Sequence, residues 1–202
     1  DSVNEVVDVK EDLIINKIKQ FKIVAPNNEV IYINLNKKNL ILDRAKFDNY
    51  LLEKAIDNGA KLHLNEKFLS YNKNEIKTSK KEYKTDMLIG ADGPLSNVAK
   101  LSGLYGDRKF LNGIQARVKA KDLEEDTTEI RLGIGEFSWI VPEDNKTARI
   151  GVIGNNENFK KLIKDYQVIE YQSGIIPLYN PNQKLRKDNV FLIGDMENRI
   201  SK

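Results

Sequence analysis

The sequence predicts a mixed α/β fold in which pieces of an open α/β domain alternate with pieces of an antiparallel sheet. Three observations carry this. "LILDRAKFDNYLLEKAIDNGAKLHL" passes from an apolar run to helical spacing and back, the strand, helix, strand order of a β-α-β unit. From Lys109 to Gly154 the apolar period is mostly 2, which reads as neighbouring antiparallel strands. After that sheet, "KDNVFLIGD" returns as a short buried strand of the α/β kind. Two discontinuous domains follow: 1–40 is a hairpin of the sheet domain, 41–108 an α/β portion, 109–180 the antiparallel sheet, and 181–202 a return to the α/β portion.

Each element has its own reason. Leu13 to Leu35 holds β-branched and apolar residues in partial alternation, broken by Pro26, Asn27 and Asn28, so a β-hairpin turns there. A short strand ends at Asp43 and Arg44; Phe47, Leu51, Leu52 and Ala55 then fall at helical spacing, and Asn58-Gly59 stops the helix. "KFLSYNKNEIKTSKKEYKTD" reads as short strands on lysine- and asparagine-rich turns, a solvated hairpin, and leads into the buried strand of "DMLIGADGPLSNVAK". "GIQARVKA", "TEIRLGI", "FSWIVPE" and "TARIGVIG" supply the sheet, and "NFKKLIKDYQ" a short helix.

Composition limits the chemistry. With 40% apolar and 31% charged residues, the 202-residue chain suits one substantial core or two small ones. The net charge of +3 comes from 33 basic and 30 acidic residues spread along the chain, so no nucleic-acid partner is implied. The absence of cysteine excludes disulfides, thiolate zinc sites and cysteine nucleophiles, and His63 alone leaves too few ligands for an ordinary transition-metal site. His63, in "KLHLNEKF", reads as a strand residue without a catalytic part. No apolar run approaches the roughly 20 residues that span a bilayer, and no signal peptide precedes the first strand, so a cytoplasmic location is expected. The first residue is Asp1, and "GDMENRISK" follows a strand with nothing after it to cover that strand, so the chain is expected to be cut at both ends.

Three strand ends are candidate sites. In "IGADGPLSNVAKLSG", Gly93 permits a sharp turn and close approach, and Pro94 suits the first turn of a helix whose free amides favour a phosphate. Asp92 would accept hydrogen bonds from that turn or hold an arginine; a plain strand-turn-helix joint accounts for the same residues. Arg44 stands where a strand becomes a helix, either as a surface ion-pair partner of Asp48 or as a phosphate ligand. Gly194 and Asp195 end the last buried strand, where an aspartate also serves as an ordinary N-cap. Ligands of open α/β sheets sit beyond the carboxyl ends of the strands, which is where Asp92 and Asp195 would meet if those strands run parallel.

Together these segments resemble a family. "DRAKFDNYLLEKAIDNGA", "DMLIGADGPLSNVAK" and "NVFLIGD" are similar to the arginine-bearing, Asp-Gly and Gly-Asp signatures of the flavoprotein reductases and hydroxylases that bind FAD like the aromatic-ring hydroxylases. Within that superfamily, "FSWIVPEDNKTARIGVIG" resembles the aromatic-x-Trp-x-x-Pro and following glycines of geranylgeranyl reductases, on Phe137, Trp139, Pro142, Gly151 and Gly154. "INKIKQFKIVAPNNEVIYI" and "YQSGIIPLYNP" extend the likeness over nearly the whole chain.

The resemblance implies a Rossmann-like FAD/NAD(P)-binding domain interleaved with an antiparallel substrate domain. It also implies reduction of carbon-carbon double bonds in a prenyl lipid by FAD, with NAD(P)H or ferredoxin as electron donor and contact with a membrane surface. By the same resemblance Arg44, Asp92, Gly93, Gly194 and Asp195 would serve the cofactor, and Phe137, Trp139, Pro142 and Gly151 the substrate. Trp139 is equally explained as a core residue. The chain departs from the family in lacking the Gly-x-Gly-x-x-Gly turn and the acidic residue about 20 positions later. It also carries Met196, Glu197 and Asn198 where small residues normally follow Gly-Asp. A piece of a longer enzyme or a split homologue is therefore expected, binding flavin poorly alone. The rival readings are an FAD-dependent monooxygenase and a non-catalytic lipid-binding homologue.

Overall fold

The computed structural model describes residues 6–194. In chain order its strands are β1 (Ile14–Val24), β2 (Val30–Leu42), β3 (Phe68–Asn72), β4 (Glu75–Thr78), β5 (Glu82–Lys84), β6 (Leu88–Gly90), β7 (Phe110–Lys119), β8 (Thr127–Leu132), β9 (Phe137–Pro142), β10 (Thr147–Ile153), β11 (Gln167–Pro177), β12 (Arg186–Lys187) and β13 (Val190–Leu192). The helices are α1 (Arg44–Asp57), α2 (Asn97–Ser102) and α3 (Asn156–Ile163). The chain divides into two units, one of residues up to Lys61 with Asn112–Gly174, the other of Leu62–Leu111 with the residues from Ile175 on. The α/β mixture expected from the sequence is present, and residues 41–61 cluster with the sheet unit.

The first unit is built on a seven-stranded sheet in the order β11-β7-β10-β9-β8-β1-β2. The hairpin of β1 and β2 turns where Pro26 to Asn28 predicted, with Asn28 in the left-handed region. The sheet is not wholly antiparallel: β8 runs parallel to β1, a long-range pairing that alternation alone does not reveal. One face of β7 and β10, through Ala116, Val118, Ala148, Ile150 and Val152, packs with Phe159 and Ile163 of α3 into a core. These side chains sit at alternate positions, so the residues between them face the other way. α1 starts on Asp43, whose carboxylate accepts from the Lys46 amide, and ends at Gly59 with φ +92. Only Phe47 of that helix is buried.

The second unit holds two small sheets, β12-β13-β6 and β3-β4-β5. The lysine-rich segment, expected as a solvated hairpin, is a three-stranded meander, β3 and β4 being joined through Lys73 and Asn74, both at positive φ. His63 lies in a loop rather than a strand, its ring edge-on to Tyr83 and 3.6 Å from the Glu66 carboxylate. β13 and β6 run parallel, and Leu88, Val190 and Leu192 pack with Val98 and Ala99 of α2 and with Leu104. Gly90 lets α2 approach, since a Cβ there would meet the Val98 side chain at 2.8 Å.

Candidate functional site

On the face of the seven-stranded sheet turned away from α3, a band of apolar side chains crosses the strands, and its register can be read. Ile31 stands opposite Ile23, Ile23 opposite Ile130, Ile130 opposite Trp139, Trp139 opposite Gly151, and Gly151 opposite Gln115. On one side of this rung lie Leu132, Phe137 and Ile153, and on the other Ile33 and Phe21. Several of these side chains are open to solvent: Ile31 is 64% exposed, Ile33 and Leu132 44% each, and Phe137 39%. Covering such a side chain fully is worth roughly 1.5–3 kcal/mol.

Trp139 is placed by three neighbours. A Cβ on Gly151 would strike its indole ring, so the glycine supplies the ring's bed. Phe137 packs beside it at 5.8 Å between ring centroids, tilted by 49°. The indole N–H donates to Gln115 Oε1 at 3.3 Å, and Gln115 Nε2 donates to Gln172 at 2.5 Å. Phe137, Trp139 and Gly151 are thus brought together as the sequence suggested. Pro142 is not: three residues beyond Trp139 it points to the opposite face and is fully buried, so it does not line this surface. Gln115 and Gln172 were missed because a glutamine within an alternating strand has the ordinary look of a solvated position.

In the second unit the carboxyl ends of β6 and β13 lie side by side, Leu192 opposite Gly90, and the Ile193 amide donates to the Gly90 carbonyl at 3.0 Å. Beyond them come Gly93, φ +77, and Gly194, φ +75; a Cβ on either would meet nothing within 4 Å. The parallel arrangement on which the sequence reading depended is therefore present. Asp195 lies outside the described residues.

Asp92 caps the turn itself. Its carboxylate accepts from the Ser96 hydroxyl at 2.5 Å and from the amides of Asn97 at 2.7 Å and Val98 at 3.2 Å, while Ser96 Oγ accepts from the Ala99 amide. The first amides of α2 are thereby engaged, not left for a phosphate. Pro94 precedes the N-cap, Ser96, by two residues instead of opening the helix. Burial alone would push the Asp92 carboxyl up, but the hydrogen bonds from Ser96, Val98 and Asn97 outweigh it and hold the group below its ordinary value. Arg108, buried and unforeseen, donates to the carbonyls of Tyr105 at 2.7 Å and Pro94 at 3.3 Å, bracing the same turn. Burial favours its neutral form, countered by electrostatic interaction with Tyr105 and Asp92.

Arg44 sits at the start of α1 with a largely exposed side chain, 3.4 Å from Asp48, the surface ion pair that was one of its two readings. Such a pair is worth about 0–1 kcal/mol. Among the described residues no cluster of histidine, aspartate and glutamate is arranged to hold a metal ion.

No protein-family model matches the chain. It is 27% identical, over 95% of its length, to digeranylgeranylglycerophospholipid reductase 3 of Methanosphaera stadtmanae. It is 26% identical, over 92% of its length, to digeranylgeranylglycerophospholipid reductase of Methanocaldococcus jannaschii. In sequence the chain is similar to these reductases. It spans 57% and 56% of the length of those two proteins. Its fold is that of a geranylgeranyl bacteriochlorophyll reductase-like protein from Thermoplasma acidophilum, with TM-score 0.84 and 20% identity over 98% of this chain and 59% of that one. The flavin-dependent halogenase CmlS shares the fold more distantly, at TM-score 0.71 and 14% identity over 90% of this chain and 41% of that one. The likeness to the reductases is thus one of sequence, and the likeness to the halogenase one of fold alone.

Proposed function

We propose that this chain serves an FAD-dependent reduction of carbon-carbon double bonds in geranylgeranyl or other polyprenyl lipids, of the kind that saturates archaeal-type membrane lipids. The observation that carries the reading is the rung Ile31, Ile23, Ile130, Trp139 on an open apolar face. An isolated alkene offers no charged handle, so a protein recognises it by apolar area and shape. Trp139, fixed by Gly151, Phe137 and Gln115, is a rigid wall in that face. The chain's part is to hold the prenyl chain and keep water from it.

The residues at the ends of β6 and β13 fit the edge of a flavin nucleotide site. Two left-handed glycines, with open space where a side chain would stand, permit close backbone approach, and Asp92 holds the turn in shape. Gly93 and Gly194 would lie against FAD, which when bound supplies the hydride for the alkene. NAD(P)H or ferredoxin would reduce it. A prenyl-lipid substrate also places the working protein at a membrane surface; among the described residues no helix is long and apolar enough to cross one.

The test is anaerobic incubation of the chain with FAD, dithionite and a geranylgeranyl lipid, followed by mass spectrometry. A gain of two hydrogens per saturated bond supports the reading. NAD(P)H-driven, oxygen-dependent hydroxylation instead would favour the monooxygenase, and lipid binding with neither flavin binding nor turnover would favour the non-catalytic homologue.

A further inference from the structure

Trp139 brings a hydrogen-bond donor into the apolar band, and its N–H starts a relay that ends on a charge. The indole donates to Gln115 Oε1 at 3.3 Å, Gln115 Nε2 donates to Gln172 Oε1 at 2.5 Å, and Gln172 Nε2 donates to Glu170 Oε1 at 3.1 Å. The relay runs from β9 to β7 and on to β11, which pairs with β7 at the edge of the sheet.

Its direction is set from the far end. An amide side chain has a donating and an accepting end of nearly the same shape, so the chemistry of its neighbours decides which way it points. A carboxylate only accepts. Glu170 therefore draws the NH2 group of Gln172, whose oxygen is left for Gln115; Gln115 must offer its own NH2 group to that oxygen, and its oxygen is left for the indole. An indole N–H only donates, so both ends of the relay agree and every donor in it meets an acceptor. A donor in place of Glu170 would turn Gln172 and then Gln115 around, and would set the Gln115 NH2 group against the indole N–H.

Trp139 is half-buried, so a ligand can still cover it. A hydrocarbon laid on the ring strips water from the N–H and offers it nothing in return, and a donor buried without a partner is costly. We infer that Glu170 is a positioning residue for this face: through Gln172 and Gln115 it keeps the indole N–H paired, so that an apolar chain covers Trp139 without burying a free donor. The inference rests on the reading of the face as a prenyl surface and adds a residue that acts on it from two side chains away. Glu170 is exposed on an edge strand, so it can be exchanged without opening a core.

Trp139 is the only tryptophan, so its indole N–H gives a single signal of its kind in a nitrogen-proton NMR spectrum of the whole chain. Three variants divide the possibilities: Glu170→Gln keeps an acceptor, Glu170→Leu removes it without adding a charge, and Glu170→Lys reverses the polarity. Exchange of the indole proton with solvent is expected to stay slow in the Gln variant, and to quicken in the Leu variant and most in the Lys variant. Affinity for farnesene, a prenyl hydrocarbon with no polar group, is followed by tryptophan fluorescence. It should fall about tenfold in the Lys variant and be restored in the Gln variant. Unchanged indole exchange in the Lys variant overturns the relay. Exchange as fast in the Gln variant as in the Lys variant also overturns it, and assigns the effect to the lost charge beside Arg117, which feels Glu170. Faster exchange with undiminished farnesene affinity overturns the positioning role and leaves the prenyl face standing. Farnesene bound by no form, the unaltered chain included, overturns the prenyl face itself and the positioning role with it.

Discussion

Gly151 faces Trp139 across β9 and β10, and the indole ring occupies the space that a Cβ on residue 151 would need. A β-sheet interior normally disfavours glycine, which loses entropy and packs nothing, so the residue is retained for the ring that lies over it. Gly151→Ala is expected to displace the indole and cost about 1–3 kcal/mol by overpacking, read as a lower urea midpoint and a red-shifted tryptophan emission. Pairing it with Trp139→Phe should cost less than the sum of the two single changes, because the smaller ring leaves room for the methyl group. Simple additivity would show that the two residues do not share that space.

Asp92 and Ser96 act as a joint cap on α2, so each removal should be felt. Ser96→Ala and Asp92→Ala are expected to cost about 1 kcal/mol apiece, measured by chemical unfolding. The acid limb is the sharper test. The folded-state pKa of Asp92 is depressed, so its contribution is present in full above the unfolded carboxylate pKa of about 3.9 and is lost as pH falls through the lower folded value. Asp92→Asn should therefore lower stability at neutral pH and narrow its difference from the parent on acidification. A constant difference across that range would remove the carboxylate from the account.

Much of the fold was legible because its signals are local. Alternation gave β7 to β10, the Pro26 to Asn28 turn gave the first hairpin, and Asn58-Gly59 gave the end of α1. The parallel pairing of β1 with β8 was not legible, since residues about a hundred positions apart meet only through tertiary packing. The apolar face was partly legible: Phe137, Trp139 and Gly151 stood out by motif, whereas Ile31, Ile130 and Gln115 join them only through cross-strand register. Parity could have removed Pro142 at once, being an odd number of residues from Trp139 in one strand. Asp92 was singled out for a cofactor, and Ser96 four residues later is the overlooked sign that its carboxylate caps α2.

Glu143 is 4% exposed and takes the Nε–H of Arg117 at 2.5 Å and that of Arg149 at 2.7 Å. Removing its charge leaves two guanidinium groups, opposite each other in register, without the anion between them. Glu143→Gln is expected to destabilise the chain by about 2 kcal/mol, less than a fully buried pair because both arginines keep some solvent. Glu143→Gln with Arg149→Met should recover part of that loss, since one of the repelling cations is then gone. Equilibrium unfolding of the three variants checks this, and no recovery in the double variant would mean that the arginines do not repel across β7 and β10.

Gly93 separates a cofactor role from a structural one. At φ +77 it occupies the left-handed region, and a Cβ there would touch nothing within 4 Å. Gly93→Ala therefore changes no packing among the described residues and should cost only the backbone strain, about 1–2 kcal/mol. If a flavin nucleotide approaches that turn, the new methyl group stands in its way, so flavin affinity should fall by more than the stability loss can explain. Gly194→Ala, at φ +75 and equally open, is the matched case at the end of the neighbouring parallel strand. Flavin titration beside thermal melting of both variants distinguishes the two roles. A fall in affinity at both positions, with melting shifted only by the strain, places the cofactor over the two strand ends. Unchanged affinity at both would leave the glycines as turn residues and move the flavin elsewhere.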